Sequence, residues 1–270
     1  MSESQYVFTD ARYAEELERL QAIERVFDPA TQKRIEATGI AAGWRCLEVG
    51  AGAGSITQWM AAIVGDTGQI VVIDLDTRFV ASLESSNTEI LKADIRHLPL
   101  QNHFFDLIHA RYVLIHLPDF EVALMRMLDL LKPGGWLVLE EPDFAAARAI
   151  VGEDRVCLSA DRVNCAILKM FEQRGMQGDL GARLPALLRK HGIQQLTVEN
   201  DAPLSCGGSG IAIVMKKSAM QLADKYIATG AATQEDIEQY CQFAEDPETW
   251  GIYYATVGII ARKSPGTTEP

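Results

Sequence analysis

The sequence predicts an α/β fold in which a doubly wound, mostly parallel sheet is covered by helices on both faces. From Trp44 to Glu141, short apolar runs alternate with segments of helical period. Such alternation is typical of strand–helix–strand crossover units, which build parallel sheets that are buried on both sides. The chain has 270 residues, of which 48% are hydrophobic and 23% charged, so it can bury a large core.

The segment before the first strand is predicted to be helical. Leu20, Ile23 and Phe27 recur at helical spacing, and Pro29 and Gly39 punctuate the segment. The alternating part that follows contains, in chain order, the strand RCLEVG and the helix SITQWMAAIV, the strand QIVVIDL and the helix TRFVASLES, the strand ILKAD, the strand FFDLIHA and a helix over residues 122–131, and the strand GWLVLEE.

Beyond Pro142 the alternation loosens and helices predominate. We predict helices over residues 156–174 and 180–191, a helical segment over 207–246 with a capping box from Thr233 to Asp236, and strands in IQQLTVEN and GIYYATVGIIAR. These patterns divide the chain into a helical lid segment (residues 1–40), a ligand-binding α/β core (41–147), the rest of the core with helical insertions that form a lid (148–263), and a flexible tail (264–270).

Charge and composition exclude several classes of protein. The formal net charge of −12 disfavours nucleic acid as a partner, because proteins that bind phosphate backbones need a basic surface. The longest stretch without charged residues, 49–65, is too short and too polar for a membrane span, and the N-terminal residues lack the pattern of a secretory signal. The five cysteines are scattered and form no C-x-x-C pair, so we expect reduced thiols in a cytoplasmic protein.

A glycine-rich turn follows the first predicted strand. In LEVGAGAG, glycines stand at positions 50, 52 and 54, where they let backbone approach a ligand closely. The dinucleotide pattern G-x-G-x-x-G would require glycine where Ser55 stands. Glu48, just before the glycines, would repel a phosphate but suits a cationic ligand.

Two further acids stand at the ends of the next strands. Asp74 follows Gly50 by 24 residues, the place where an acid that accepts hydrogen bonds from ribose hydroxyls is expected. Asp94 lies just after the next short strand and could contact the ligand. The alternative interpretation is that Asp94 is an ordinary turn residue, since aspartate is common in turns. Together with Glu48, these acids describe a site for a nucleoside that has no phosphates and carries a positively charged amino-acid end.

The ordered motifs resemble those of the class I S-adenosylmethionine-dependent methyltransferases, of the small-molecule group that includes the ubiquinone and menaquinone C-methyltransferases. The matching segments cover about residues 40–143 and are LEVGAGAG, IDLD, KADIRHLP, FFDLIHARYVLIHLPD and LKPGGWLVLEE. The resemblance implies a Rossmann-like sheet of seven strands with an antiparallel last strand, helical lid additions, and S-adenosyl-L-methionine as the cofactor. It also implies cofactor-binding roles for Glu48, Gly50, Ala51 and Gly52 near the methionine part, Asp74 at the ribose, Leu75, Asp94 and Ile95 at the adenine, and Ala110 and Arg111 on the methionine side.

The expected reaction is an in-line displacement that moves the methyl group to oxygen, nitrogen or carbon of a small organic acceptor. Proximity supplies much of the rate of such a transfer, so a strong base is optional. His116 is a candidate general base, although a histidine packed in the fold is at least as good an interpretation. Glu140 or Glu141 could orient the acceptor, and one of the two is expected to be solvated.

Other interpretations stay open at this stage. The chain could bind S-adenosylmethionine without transferring methyl, or methylate RNA or protein, and it could form a homodimer.

Four histidines fall within residues 97–116, but their spacing matches no common ligand pattern and we expect no metal. The lid regions contribute possible pocket residues, namely Tyr6, Tyr13, Met215 and Met220.

Overall fold

The structure is a computed structural model that describes residues 13–265. Its helices are α1 (Tyr13–Glu36), α2 (Ser55–Val64), α3 (Phe120–Leu130), α4 (Asp154–Gln173), α5 (Leu180–Lys190), α6 (Gly210–Ile227) and α7 (Gln234–Glu245). Its strands are β1 (Arg45–Val49), β2 (Gln69–Asp74), β3 (Thr88–Lys92), β4 (Phe105–Arg111), β5 (Leu131–Asp143), β6 (Arg148–Val151), β7 (Gln195–Asp201), β8 (Ser205–Cys206), β9 (Trp250–Ile252) and β10 (Ala255–Arg262).

Seven strands form the main sheet, in the order β3-β2-β1-β4-β5-β10-β7. Strands β1 to β5 are parallel, whereas β10 runs antiparallel to both β5 and β7. The predicted fold class is therefore confirmed, including its antiparallel last strand. The chain winds outward from β1 to β3 and then returns to β4, so the strand order reverses beside β1. Open α/β sheets bind their ligands at such a point, at the carboxyl ends of the strands.

Three predicted elements differ from the structure. The segment 77–85 forms two short 3-10 turns, Thr77–Phe79 and Ala81–Leu83, because Val80 and Leu83 must both pack against the turn at Gly54. Helix α1 continues through Pro29 to Glu36. The last predicted strand is split into β9, in a small sheet of order β6-β9-β8, and β10. The split occurs at two consecutive buried tyrosines, 253 and 254.

The capping box from Thr233 to Asp236 is confirmed at the start of α7, since the threonine hydroxyl accepts from Asp236 N and the Asp236 carboxylate accepts from Thr233 N. Tyr6, the first part of the predicted lid segment and most of the predicted tail lie outside the described residues. Within residues 13–265, no helix has the length and apolar character needed to cross a membrane.

Helix α1 is held against the sheet by a buried arginine. Arg34 is only 2% exposed, and its guanidinium donates to Glu140 at 3.3 Å, to Glu199 at 2.9 Å and to Asp201. The guanidinium lies across β10 at Gly258, where a Cβ would come within 2.2 Å of Arg34 Nε. The last part of α1 is thus fixed over β5, β10 and β7, which leaves its first half above the carboxyl ends of the strands.

Candidate functional site

A cavity of about 740 Å³ lies at the carboxyl ends of β1 to β5, under α1 and beside α4 and α6. Most of the residues predicted for the site line it: Glu48, Gly50, Ala51, Gly52, Asp74, Leu75, Asp94, Ile95, Arg111 and His116. Ala110 and Glu140 are fully buried and do not line it. The structure therefore brings together residues from four separate strand ends, as parallel strands require.

The glycine turn after β1 has the backbone geometry that only glycine adopts easily. Gly50, Gly52 and Gly54 have φ angles of 73°, 60° and 96°. A Cβ on Gly50 would also come within 2.4 Å of Val113 Cγ2. The turn thus presents bare backbone to the cavity and packs directly on the segment that follows β4.

Asp74 ends β2 and faces the cavity. Its Oδ1 accepts from Asp76 N at 2.9 Å, which orients the carboxylate. Burial raises its pKa to about 6, in spite of the backbone hydrogen bonds that oppose the shift. A carboxylate that is desolvated in this way gains from hydroxyl donors, such as those of a ribose.

The raised pKa of Asp74 predicts a pH-dependent affinity for a ribose-containing ligand. Ribose hydroxyls donate best to the ionised carboxylate, so affinity should be full above pH 7 and fall as the pH drops through about 6. Calorimetric titration with S-adenosylhomocysteine between pH 5 and pH 8 measures this. In Asp74→Asn the binding should be weaker and its pH dependence flat over that range, whereas a profile equal to that of the wild type would contradict the assignment.

Asp94 is already engaged by a neighbouring arginine. Arg96 donates to both Asp94 oxygens, at 3.0, 3.0 and 2.6 Å, and also binds Asp119. This side-chain hydrogen bonding lowers the pKa of Asp94, although partial burial opposes it. The carboxylate is thus held at the cavity wall in its ionised form, and Arg96, which the sequence analysis did not single out, is the residue that holds it.

Glu48 is contacted by one side chain from α2 and one from β4. Its Oε2 accepts from Thr57 Oγ1 at 2.5 Å, and its Oε1 lies 3.5 Å from His109 Nδ1. On the other side, His109 Nε2 lies 3.9 Å from Glu140 Oε1. Burial alone would lower the pKa of His109, but the nearby carboxylates of Glu140 and Glu48 raise it. A buried imidazole therefore links the acid at the cavity to an acid deep in the sheet.

Glu140 and Glu141 are both fully buried, so the expectation that one of them is solvated is wrong. Strand β5 lies between β4 and β10, and helices cover both of its faces. Glu140 accepts from Thr31 Oγ1 at 3.0 Å in addition to Arg34, and therefore belongs to the contact between α1 and the sheet. Burial tends to raise its pKa, but His109, Arg111 and Arg34 lower it overall.

Glu141 points to the opposite face and organises the turn after β4. Its carboxylate accepts from the backbone N–H groups of Val113, Leu114 and Ile115, at 3.0, 2.7 and 3.1 Å. Burial raises its pKa to about 8, against the effect of these hydrogen bonds. The turn that it holds carries His116 to the cavity.

His116 lines the cavity and packs near the ring of Phe171, with 6.3 Å between centroids. Removal from solvent lowers its pKa to about 3, and the charge of Arg19 adds to the shift. The imidazole is therefore neutral at physiological pH and only weakly basic. Its role as a general base stays a prediction, and its packing agrees equally with the alternative interpretation.

Arg111 ties the end of β4 to α1. Its guanidinium donates to Asp28 at 2.9 Å and to Thr31 Oγ1 at 2.8 Å. Nearer the start of α1, Glu24 accepts from Ser55 N at 3.1 Å, and the ring of Tyr13 stacks on Phe79 at 4.8 Å between centroids. These contacts hold α1 across the cavity.

The far half of the cavity is apolar and comes from parts of the chain that show no motif. Met215, which the sequence analysis named, lines it, whereas Met220 is 61% exposed and points away. The residues that sequence reasoning missed are Arg19, Phe144, Met170, Phe171, Leu222, Tyr226 and Tyr254. Helical periodicity places several of them on buried helix faces, but it does not distinguish core from cavity. Within residues 13–265, no cluster of three or more His, Cys, Asp or Glu side chains is arranged to hold a metal ion.

The sheet order, the glycine turn and the acids at successive strand ends are the features expected of a nucleoside-binding α/β domain. Residues 47–139 match the family model of a methyltransferase domain. The region that contains the glycine turn, Asp74 and Asp94 is thus similar to methyltransferase domains.

Among curated proteins, the chain is similar to the ubiquinone/menaquinone biosynthesis C-methyltransferase UbiE of Saccharophagus degradans, with 32% identity over 41% of this chain and 47% of that enzyme. The chain thus spans about half the length of the curated UbiE relatives it matches. The methyltransferase str2 of Strobilurus tenacellus is 27% identical over 79% of this chain and 82% of its own. The fold is similar to that of a Haemonchus contortus phosphoethanolamine N-methyltransferase 2 solved with S-adenosylhomocysteine, with a TM-score of 0.61 and 16% identity over 98% of this chain and 61% of that one.

The described residues fit S-adenosylmethionine, the cofactor that the sequence motifs imply. The bare backbone of the glycine turn leaves room for a close ligand, Asp74 offers a carboxylate to the ribose, and Glu48 places negative charge where a sulfonium and an ammonium would lie.

Proposed function

We propose that this protein transfers the methyl group of S-adenosylmethionine to a small organic acceptor, on oxygen, nitrogen or carbon. The observation that carries the proposal is the continuity of the cavity. One end meets the glycine turn and Asp74, and the other is a largely apolar chamber lined by α1, α4 and α6. A cavity of this size has room for two small ligands placed end to end.

When bound, the cofactor supplies an electrophilic methyl group on a sulfonium. The residues of the chain then act by binding, orienting and excluding water. Asp74 and Asp94 would hold the nucleoside, while Glu48, fixed by Thr57 and His109, would hold the charged end. Proximity supplies the rate that a weakly basic His116 does not.

Two alternatives remain distinct from this proposal: a protein that binds the cofactor without transfer, and a methyltransferase of RNA or protein. The net charge of −12 favours a small acceptor over nucleic acid. The names of the UbiE and str2 relatives also support methyl transfer. We further assign the activity to the cytoplasm, since all five cysteines are free thiols.

The proposal predicts transfer of a labelled methyl group to small molecules. Purified protein is incubated with methyl-labelled S-adenosylmethionine and a cell extract that contains both small molecules and macromolecules. We expect label in the low-mass organic fraction, and its loss in Asp74→Ala. Label in RNA or protein would favour the macromolecular alternative, and calorimetric cofactor binding with no transfer to any fraction would favour a binding protein.

A further inference from the structure

We infer that His109 of β4 is a positioning residue for the cofactor: its positive charge keeps the Glu48 carboxylate ionised, and Glu48 in turn binds the cationic amino-acid end of S-adenosylmethionine. The inference rests on the proposed function and adds to it a residue to which the sequence analysis gave no role. Loss of His109 should therefore weaken binding of the amino-acid end and leave binding of the nucleoside unchanged.

Glu48, His109 and Glu140 form a row on one face of the sheet. In the Cα register, Glu48 pairs with His109. His109 in turn pairs with Val138, two residues before Glu140 on β5. Since side chains alternate between the faces of a strand, all three polar side chains point to the face that α1 and α2 cover. The row thus leads from the cavity, which Glu48 and His109 line, to the buried contact between α1 and the sheet.

The imidazole of His109 lies between two carboxylates. Its Nδ1 lies 3.5 Å from Glu48 Oε1, and its Nε2 lies 3.9 Å from Glu140 Oε1. Both nitrogens are fully buried, and neither makes a hydrogen bond to any residue in the described range 13–265. Contact at these distances acts mainly through charge. Burial opposes the charged form of the ring, but an acid on either side favours it and raises the pKa of His109.

The signs of charge alternate along the row. The carboxylate of Glu140 also accepts from Arg34 at 3.3 Å, so it keeps a cationic partner without His109. Glu48 contacts Thr57 and His109, and only the second of these two can carry a positive charge. A buried carboxylate that loses its cationic neighbour tends to bind a proton, because its charged form is poorly solvated. His109 is therefore the residue that keeps Glu48 negative.

An ionised Glu48 places negative charge at the polar end of the cavity. Two carboxylates outweigh one imidazolium, so the row as a whole still attracts an ammonium group. A protonated Glu48 would offer the ammonium a neutral carbonyl in place of a charged oxygen. Hydrogen bonds to an ionised acceptor are roughly twice as strong as those between neutral groups. Binding of the amino-acid end thus depends on the charge of His109.

Other charged side chains also line the cavity, among them Glu16, Arg19, Glu24 and Arg111. Glu24 accepts from Ser55 N, and Arg111 donates to Asp28. All of these side chains stay in place when position 109 is changed. A comparison between variants at that position therefore isolates the effect of the imidazole.

The test compares two ligands that share the nucleoside and differ at the amino-acid end. Isothermal titration calorimetry at pH 7 gives the dissociation constants of S-adenosylhomocysteine and of 5′-methylthioadenosine, which lacks the amino and carboxylate groups. In His109→Leu, binding of S-adenosylhomocysteine should weaken about tenfold, while binding of 5′-methylthioadenosine changes less than about twofold. The ratio of the two constants reports on the amino-acid end, and a partial loss of folded protein does not change it.

A second variant and a matched control complete the comparison. His109→Gln keeps a polar side chain without the charge and should change the ratio in the same direction, by at least about threefold. His103→Asn should leave the ratio unchanged, because this exposed histidine precedes β4 at the end of the strand away from the cavity. A wild-type ratio in both His109 variants would overturn the inference.

A double-mutant cycle tests whether His109 acts through Glu48. Glu48→Gln should weaken binding of S-adenosylhomocysteine relative to 5′-methylthioadenosine by about tenfold, and adding His109→Leu should then change the ratio less than about twofold. Two effects that multiply would show that His109 acts independently of Glu48, and would also overturn the inference. Failure of the wild-type protein to bind either ligand would instead overturn the proposed function, and the role of His109 with it.

Discussion

Replacement of Asp74 by alanine should weaken binding of S-adenosylhomocysteine by about 100-fold to 10,000-fold. The carboxylate lies in an enclosed wall at the end of β2, where the two hydroxyls of a ribose can each donate to it. Hydrogen bonds to a charged group contribute about 1.5–3 kcal/mol each, and every 1.4 kcal/mol is about tenfold in affinity. Isothermal titration calorimetry at pH 8, where Asp74 is ionised, gives the dissociation constants.

Asp76 is the matched control for this experiment. It also lines the cavity, but its carboxylate is bound by Arg78 at 2.8, 3.0 and 2.6 Å. Asp76→Asn should therefore change the affinity less than about threefold, which is under 1 kcal/mol. If Asp76→Asn were the more damaging variant, the ribose would be bound two residues further along the chain and the site would need reassignment.

Glu140→Gln should lower the free energy of unfolding by about 3–5 kcal/mol. The substitution leaves Arg34 and His109 buried without the carboxylate that lies between them. Removing one partner of a buried charge cluster is costly because the remaining charges are neither solvated nor paired. Urea denaturation followed by circular dichroism measures the loss.

Two further variants separate this structural role from a catalytic one. Glu199→Gln removes a partly exposed partner of Arg34 and should cost only about 1 kcal/mol. Arg34→Met should lower the free energy of unfolding by about as much as Glu140→Gln does. The double variant should lower it by less than the sum of the two single effects, as expected for residues in contact. A Glu140→Gln protein of undiminished stability with a greatly reduced kcat would instead support the catalytic role that the sequence suggested.

Glu140 and Glu141 show why part of the site was beyond the reach of sequence reasoning. They are adjacent acids after the same apolar run, and nothing local distinguishes them. In the strand they point to opposite faces, so one joins the buried charges under α1 and the other accepts three amides of the turn after β4. Which partners meet each face depends on residues more than 20 positions away.

The cofactor half of the cavity was predictable because its residues stand in local patterns at the ends of strands. The glycine turn, Asp74 and Asp94 each follow a strand within a few residues, and parallel strands bring their carboxyl ends to one edge. The order of motifs along the chain therefore predicts their meeting in space. Even here, the engagement of Asp94 by Arg96 and of Glu48 by His109 became visible only with the side chains in place.

The amino-acid pattern alone was sufficient to predict the sheet, its flanking helices and the acids of the cofactor half, since hydrophobic periodicity and short-range turns determine these features locally. The acceptor chamber depended on the tertiary structure. Arg19, Phe171 and Tyr254 come from α1, α4 and the turn between β9 and β10, and they meet only after the sheet is complete. On a helix face, a residue that lines a cavity has the same periodicity as one that fills the core, so only the packing of distant segments distinguishes them.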